Sequence, residues 1–243
     1  MVDDLTALDS YGWEALKKSL NQRLVLNRIK LVPSKRNRVW VAETDVRPVV
    51  VKLSLTGKAG DEFEALLVAR QLGLDVPYPL YMDRDYLVLE YLPGDICDAL
   101  VNHFFRFDVA EGIGVWLARY HEKTSAAGIR TVRGDSVLSN FVLSEGRIHG
   151  FDLEDSGPGN PLEDLGQIGA SILGSEPFFT PIKFDLCLRL VEGYGREAGV
   201  DVVDSVRGYI SKHLRADANA KPLFRRTLVS AAKGLERGWP KLA

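Results

Sequence analysis

The chain has 243 residues, enough for one domain or for two lobes that share an interface. Hydrophobic residues make up 46% and charged residues 26% of the chain, and the net charge of −2 argues against nucleic-acid binding as its main role. The acidic N-terminus does not resemble a signal peptide, and no stretch approaches the apolar length of a membrane span. The two cysteines, Cys97 and Cys187, form no metal-binding or redox pair. We therefore expect a cytoplasmic protein with no membrane span and no nucleic-acid partner.

The N-terminal part of the chain predicts a helix followed by a small antiparallel sheet. Apolar residues at helical spacing favour a helix over 8–20. Three valine-rich segments separated by polar turns then predict three strands between 24 and 55. A helix over 61–74 and two further strands joined by a turn at 83–85 complete this part.

Lys52 ends the apolar run of the third predicted strand, where a lysine is unusual because buried lysines are rare unless paired. It resembles the strand lysine that holds phosphate groups in kinases, and such a lysine needs an acidic partner to fix its position. Both Glu62 and Glu64, on the following helix, could supply that partner. The ordinary alternative is a lysine at a strand end with no special role.

Beyond Gly94 the chain is predicted to be mainly helical. His121 follows an apolar helical stripe, and we interpret it as a packed or surface histidine rather than a catalyst. Basic residues near the C-terminus are spread around helix faces, which indicates solvated surface. The predicted helices cover 96–107, 109–123, 163–174, 181–197, 201–214 and 221–237.

The stretch 132–165 carries the most informative pattern. Asp135 precedes Asn140 by five residues, the spacing of a kinase catalytic loop. Two short apolar runs separated by a Ser-Glu-Gly turn then predict a β-hairpin, which would return Asp152 to the side of Asn140. Two oxygen-bearing side chains at one place suit Mg²⁺. Taken singly, each of these residues would be interpreted as a turn or cap residue.

These residues resemble the signature of the aminoglycoside phosphotransferase-like kinases. The chain reads RGD-SVLS-N, then FDLED at 151–155, then GNPLEDL at 159–165, against HGD-x-x-x-x-N, IDFED and GDP-x-x-DL in the family. Order, spacing and residue type agree over about thirty positions. One residue departs: Arg133 stands where the family has histidine.

The resemblance implies an α+β, two-lobed, protein-kinase-like fold. Residues 1–92 would form an N-lobe with an antiparallel five-stranded sheet, and residues 93–243 a mainly helical C-lobe that contains the catalytic loop, the metal site and the acceptor-binding helices. The loop at 33–38 would cover the nucleotide through Ser34, although it lacks the glycines expected of such a loop. Backbone groups from Glu90 to Leu92 would meet adenine.

The implied reaction is Mg²⁺-dependent transfer of phosphate from ATP to a hydroxyl. The family pattern selects Glu62 rather than Glu64 as the partner of Lys52, and it makes Asp135 the catalytic residue and Asn140 and Asp152 the metal ligands. Glu154 or Asp155 could bind a second metal or substrate. Asp164 would brace the loop from beneath, and we expect Arg133 to pair with it, because a buried charge needs a partner.

The acceptor is expected to be a small molecule, since the chain has no Ala-Pro-Glu sequence and no long activation segment for docking a peptide. A compact protein kinase of the RIO-like or Bud-type kind is the alternative enzyme. A nucleotide-binding pseudokinase that acts through a partner protein is the alternative from another class. The preference for ATP over GTP, the oligomeric state and any partner protein are left open by the sequence.

Overall fold

A computed structural model describes residues 9–20, 26–34 and 36–240. Its contacts divide the chain into two compact units, Met1–Pro93 and Gly94–Ala243. Within the described residues, no helix combines the length and the apolar character that crossing a membrane requires.

The first unit contains one five-stranded antiparallel sheet, with strands in the order β1-β2-β3-β5-β4. The predicted helices and strands of this unit are present. Residues 8 and 21–25 lie outside the described residues, so the predicted start of the first helix and of the first strand cannot be compared. The elements are α1 (Ser10–Leu20), β1 (Leu26–Val32), β2 (Arg38–Thr44), β3 (Val49–Leu53), α2 (Ala59–Gln71), β4 (Pro79–Asp83) and β5 (Tyr86–Glu90).

One face of this sheet forms the core of the unit. Side chains alternate between the two faces of a strand, so Val49 and Val51 share a face on β3. That face packs against Ala15 and Leu16 of α1. Lys52 therefore points to the opposite face of the sheet.

The second unit is mainly helical. Its short strands form two small sheets, and its long helices pack as the pairs α4–α6, α5–α7 and α7–α8. The elements are β6 (Asp95–Ile96), α3 (Cys97–Asn102), α4 (Phe107–Lys123), β7 (Thr131–Val132), β8 (Phe141–Ser144), β9 (Arg147–Gly150), β10 (Gly157–Pro158), α5 (Pro161–Leu173), α6 (Pro181–Ala198), α7 (Val203–Ala220) and α8 (Arg225–Arg237).

The predicted α+β class and five-stranded antiparallel sheet are confirmed, but one predicted helix is too long. The prediction placed a helix over 96–107, whereas α3 ends at Asn102. Phe105 has φ 51°, a left-handed conformation that a helix cannot contain. The chain therefore turns there before α4 begins.

A buried lysine at the start of α6 connects this helix to α3 and to the segment after α5. Lys183, at the start of α6, has no exposed surface. Its ammonium group donates to the side-chain oxygen of Asn102 at 2.7 Å, to the Asn102 carbonyl at 3.2 Å and to the Ser175 hydroxyl at 2.8 Å. Because these acceptors are neutral, burial lowers the pKa of Lys183 from 10.5 to about 8, against the attraction of Asp98.

We expect Lys183 to make the protein more stable as the pH rises from about 8 to 10.5. In this window the unfolded chain retains the proton that the folded protein has lost, so the free energy of unfolding increases with pH. Over this pH range, the free energy of unfolding of the wild type should increase by up to about 3 kcal/mol relative to that of Lys183→Met. Urea unfolding of both proteins at several pH values measures this, with the exposed Lys233→Met as control. A difference that is flat or falls with pH would contradict the prediction.

Candidate active site

Lys52 and Glu62 form a buried ion pair in the first unit. The Lys52 ammonium lies 2.6 Å from Oε2 of Glu62, and these residues are 5% and 1% exposed. Strand β3 supplies the lysine and α2 supplies the glutamate, whereas Glu64 is exposed. The structure thus selects Glu62 of the two candidates. A lysine held in this way presents a fixed positive charge.

The predicted nucleotide-covering loop is organised by Asn37. The Asn37 backbone N–H donates to the hydroxyl of Ser34 at 3.3 Å, and the Asn37 side-chain oxygen accepts from the backbone N–H of Leu55 at 3.0 Å. These bonds shape the loop without glycine. Ser34 itself is exposed, and Lys35 lies outside the described residues.

The predicted adenine-binding segment lies at the end of β5. The side chain of Glu90 accepts from the backbone N–H of Tyr78 at 3.0 Å, and the Glu90 N–H donates to the Tyr78 carbonyl at 2.9 Å. This N–H is therefore already used within the protein. Leu92, two residues further on, lies beyond the strand and is half-buried.

In the second unit, Asp135 is held by amide groups. Its side-chain oxygen Oδ1 accepts from Nε2 of Gln167 at 3.3 Å, and its backbone carbonyl accepts from Nδ2 of Asn140 at 3.1 Å. Gln167 also accepts from the backbone N–H of Ser136 at 2.8 Å. The loop turns at Gly134, with φ +79°, where a Cβ would collide with the carbonyl of Asp155. The Asp135 carboxylate is consequently oriented and still partly accessible.

The predicted hairpin brings Asn140 and Asp152 together. Strands β8 and β9 pair with Phe141 opposite Gly150, and the N–H of Phe151 donates to the Asn140 carbonyl at 3.1 Å. Asp152 is the next residue, and its φ is 63°. A left-handed aspartate is strained, and such strain is concentrated at functional sites.

The donor set at this position suits a hard cation. Because Nδ2 of Asn140 donates to the Asp135 carbonyl, Oδ1 is the amide atom left to act as a metal ligand. Asp152 adds a carboxylate, and Mg²⁺ prefers few oxygen ligands from the protein beside those of a phosphate. Asn140 and Asp152 would hold the metal, and Glu154 could join them, because its carboxylate has an oxygen within 4.8 Å of one of Asp152. Lys52, in the other unit, is suited to phosphate oxygens.

Asp164, on α5, braces the loop that leads to Asp135. It is 1% exposed and accepts from Nε2 of His121 at 2.8 Å and from the backbone N–H groups of Arg133 at 2.8 Å and Gly134 at 3.3 Å. Burial would raise the pKa of Asp164, but the bond from His121, the backbone bond and the charge of Arg133 together hold this pKa below its ordinary value. His121 is also bonded through Nδ1 to the hydroxyl of Tyr194 at 3.1 Å.

The Arg133 side chain is fully buried and takes a different direction. Its Nη2 donates to the Phe151 carbonyl at 2.7 Å, and its guanidinium carbon lies 4.4 Å from the ring centroid of Phe141 and 5.4 Å from that of Trp116. Nε and Nη1 have no hydrogen-bond partner among the residues that the structure describes. Burial lowers the pKa of Arg133, opposed by the negative charges of nearby aspartates.

Several solved structures share this architecture. The amicoumacin kinase hAmiN in complex with AMP-PNP, Ca²⁺ and Ami superposes with a TM-score of 0.63 at 14% identity, covering 100% of this chain and 91% of the kinase. A choline/ethanolamine kinase family protein from Mesorhizobium loti gives 0.63 at 16% identity, with 86% and 88% covered. The streptomycin–ATP–APH(2″)-IIa ternary complex gives 0.60 at 13% identity, with 96% and 99% covered. The chain has the aminoglycoside phosphotransferase-like kinase fold. No family model and no curated protein matches the sequence.

Within this kinase fold, the expected ion pair between Arg133 and Asp164 is wrong. The side-chain oxygens of Asp164 already accept from His121 and from two backbone N–H groups. The Arg133 guanidinium instead donates to a carbonyl and lies against aromatic rings. Asp164 is still a brace, but its side-chain partner is His121. The interpretation of His121 as a packed residue is correct, and it has a partner that the sequence did not identify.

Gln167 is the residue of the candidate site that sequence reasoning missed. It lies on α5, three residues after Asp164, so both side chains share one helix face directed at the catalytic loop. Asp164 holds the loop before Asp135, and Gln167 binds Asp135 and the residue after it. The three-residue spacing of Asp164 and Gln167 in the sequence DLGQ could have predicted that Gln167 also faces the loop.

The Lys52–Glu62 pair predicts a measurable difference between two neighbouring glutamates. Glu62→Gln removes the charge but not the shape, and it should lower the free energy of unfolding by about 1.5–3 kcal/mol, as expected for a hydrogen bond to a charged group. The exposed Glu64→Gln should change it by less than about 0.5 kcal/mol. Urea denaturation of both variants measures this difference. Equal effects would show that the ion pair contributes nothing.

Proposed function

We propose that this protein is a kinase that transfers the γ-phosphoryl group of ATP to a hydroxyl of a small molecule. The loop around Asp135 carries the proposal: Asp135 is bonded to Gln167 and Asn140, and the Asn140 carbonyl accepts from the N–H of Phe151, the residue before Asp152. Phosphoryl transfer needs an oriented carboxylate beside metal ligands more than it needs covalent chemistry.

In the proposed reaction, Asp135 orients the acceptor hydroxyl. The hydroxyl oxygen forms a bond to the γ-phosphorus, and the bond from that phosphorus to the bridging oxygen of ADP breaks. Asp135 accepts the hydroxyl proton, and ADP leaves with the electron pair of the broken bond. Asn140 and Asp152 would hold Mg²⁺, which when bound neutralises charge on the phosphates. Lys52, fixed by Glu62, would bind phosphate oxygens, with Ser34 covering them and residues 90–92 meeting adenine.

A small-molecule acceptor is favoured by the kinds of protein that share the fold. The neighbours include an amicoumacin kinase and a complex that contains streptomycin and ATP. Nothing in the chain indicates either compound as its own acceptor, since one fold serves many substrates. Because the proposed reaction consumes ATP, we place the protein in the cytoplasm.

Nucleotide consumption tests the proposal. Purified protein with ATP and Mg²⁺ is supplied with a panel of hydroxyl-bearing metabolites and, separately, with protein acceptors. We expect a metabolite to accelerate ADP release and to gain phosphate, with Asp152→Ala inactive in parallel. Phosphorylation of proteins alone would identify a compact protein kinase. Nucleotide binding without transfer to any acceptor would indicate a pseudokinase.

A further inference from the structure

A second region of the C-terminal unit has the properties of a binding site. A cavity of about 840 Å³ lies along α8, between this helix and the start of α6. None of Asp135, Asn140 and Asp152 lines it. Its volume is typical of sites for small organic ligands, which occupy about 300–1,000 Å³.

One stripe of α8 faces the cavity. Arg226, Ser230, Gly234 and Arg237 all line it, and they follow one another at intervals of four, four and three residues. That spacing places them on one side of a helix. Two arginines thus stand toward the two ends of the stripe, about 16 Å apart along the helix axis.

The charge of this stripe is not neutralised by any described residue. No carboxylate lines the cavity, and in the part of the chain that the structure describes, neither Arg226 nor Arg237 forms an ion pair. Glu236, the acidic residue of α8, accepts from Ser211 at 2.7 Å and from Arg215 at 2.8 Å, so it is directed toward α7. Two exposed guanidinium groups therefore remain to bind an anion.

The remaining wall is aromatic and held in place. The Trp239 indole N–H donates to the Val203 carbonyl at 3.0 Å, which fixes the ring. Phe179 also lines the cavity and has φ 52°, a strained conformation for an aromatic residue. A flat apolar group could stack on these side chains.

Gly234 keeps the helix side of the cavity open. A Cβ at this position would have no atom within 4 Å, so no neighbour requires glycine there. Glycine inside a helix costs about 0.5–1 kcal/mol relative to alanine. The residue is thus unfavourable for the helix and unexplained by packing, and its lack of a side chain leaves this part of the cavity open.

We propose that this cavity binds an organic anion that carries a flat apolar ring. The arginine at either end of the stripe would take the anionic group, and Phe179 and Trp239 would contact the ring. Binding of this kind is independent of the proposed phosphoryl transfer, because it uses other residues and needs neither ATP nor a metal. The chemical class includes aromatic sulfonates, carboxylates and phosphate esters.

Two fluorescent probes that share a ring system test the proposal. The sulfonate 8-anilinonaphthalene-1-sulfonate carries the negative charge, and N-phenyl-1-naphthylamine lacks it. We expect the sulfonate to bind saturably to the wild type and the Arg226→Gln/Arg237→Gln variant to bind it at least about tenfold more weakly, as loss of charge-assisted hydrogen bonds implies. Affinity for the neutral probe should change less than about twofold, since its ring contacts remain.

Matched variants locate the effect. Arg225→Gln/Lys233→Gln removes the same number of charges from α8 outside the cavity and should leave the affinity for the sulfonate unchanged. Gly234→Leu places a bulky side chain in the cavity and should weaken binding of both probes, with the fold checked by circular dichroism. Any of three outcomes would overturn the proposal. The two double variants could lose equal affinity for the sulfonate, the wild type could bind both probes equally, or the sulfonate could show no saturable binding.

Discussion

Asp135→Asn should lower turnover of the proposed phosphoryl transfer by about two to four decades and leave nucleotide affinity close to that of the wild type. Asparagine keeps the oxygen that accepts from Gln167, and the backbone carbonyl that accepts from Asn140 is unchanged. What the substitution removes is the carboxylate that accepts the hydroxyl proton. Steady-state kinetics with the acceptor, together with calorimetric titration of nucleotide, measure the two quantities separately.

Asp152→Ala is the matched comparison. It removes a proposed metal ligand, so it should abolish the Mg²⁺-dependent part of nucleotide affinity as well as turnover. The two variants therefore differ in nucleotide binding, although turnover falls in both. If Asp135→Asn turned over at a rate near that of the wild type, Asp135 would be a structural residue of the loop.

The parts of this site that could be predicted are those fixed by local sequence. The turn between β8 and β9 determines the hairpin register, and the register determines that Asp152 follows the residue bonded to Asn140. The valine-rich strands and the lysine near the end of β3 are equally local. Choosing Glu62 over Glu64 needed the family pattern, and the structure then showed the contact.

The contacts that escaped prediction join elements distant in sequence. His121 on α4 and Asp164 on α5 are separated by 43 residues, and Gln167 and Asp135 by 32. The spacing of apolar residues within one helix or strand does not predict how two helices contact a loop. Such contacts depend on close packing, as where Gly114 of α4 admits the backbone of α6 at Leu190.

Arg133 shows where physical reasoning from sequence was incomplete. The buried charge of Arg133 does need compensation, as expected. The compensation does not come from a hydrogen bond to the carboxylate of Asp164. A carbonyl oxygen and aromatic faces also attract a guanidinium, and Arg133 uses both. By donating to the Phe151 carbonyl, it connects the catalytic loop to the residue immediately before Asp152.

Asp164→Ala should destabilise the protein by about 3–5 kcal/mol, the cost of breaking a buried charged network by removing one partner. The substitution leaves the backbone N–H groups of Arg133 and Gly134 and the imidazole of His121 without their common acceptor in a buried site. An unsatisfied buried donor costs about 1–3 kcal/mol, and three donors share this carboxylate. Urea unfolding at neutral pH measures the loss.

The preceding residue on α5 supplies the control for this measurement. Glu163 binds Lys212 and His213 nearer the surface, with 32% of its side chain exposed, so Glu163→Ala should cost less than about 1 kcal/mol. A larger loss of unfolding free energy in Asp164→Ala than in Glu163→Ala would show that Asp164 holds the loop, whereas Glu163 forms only surface ion pairs. Similar losses in the two variants would mean that the loop is held by its other contacts, such as those from Gln167 to Asp135 and Ser136.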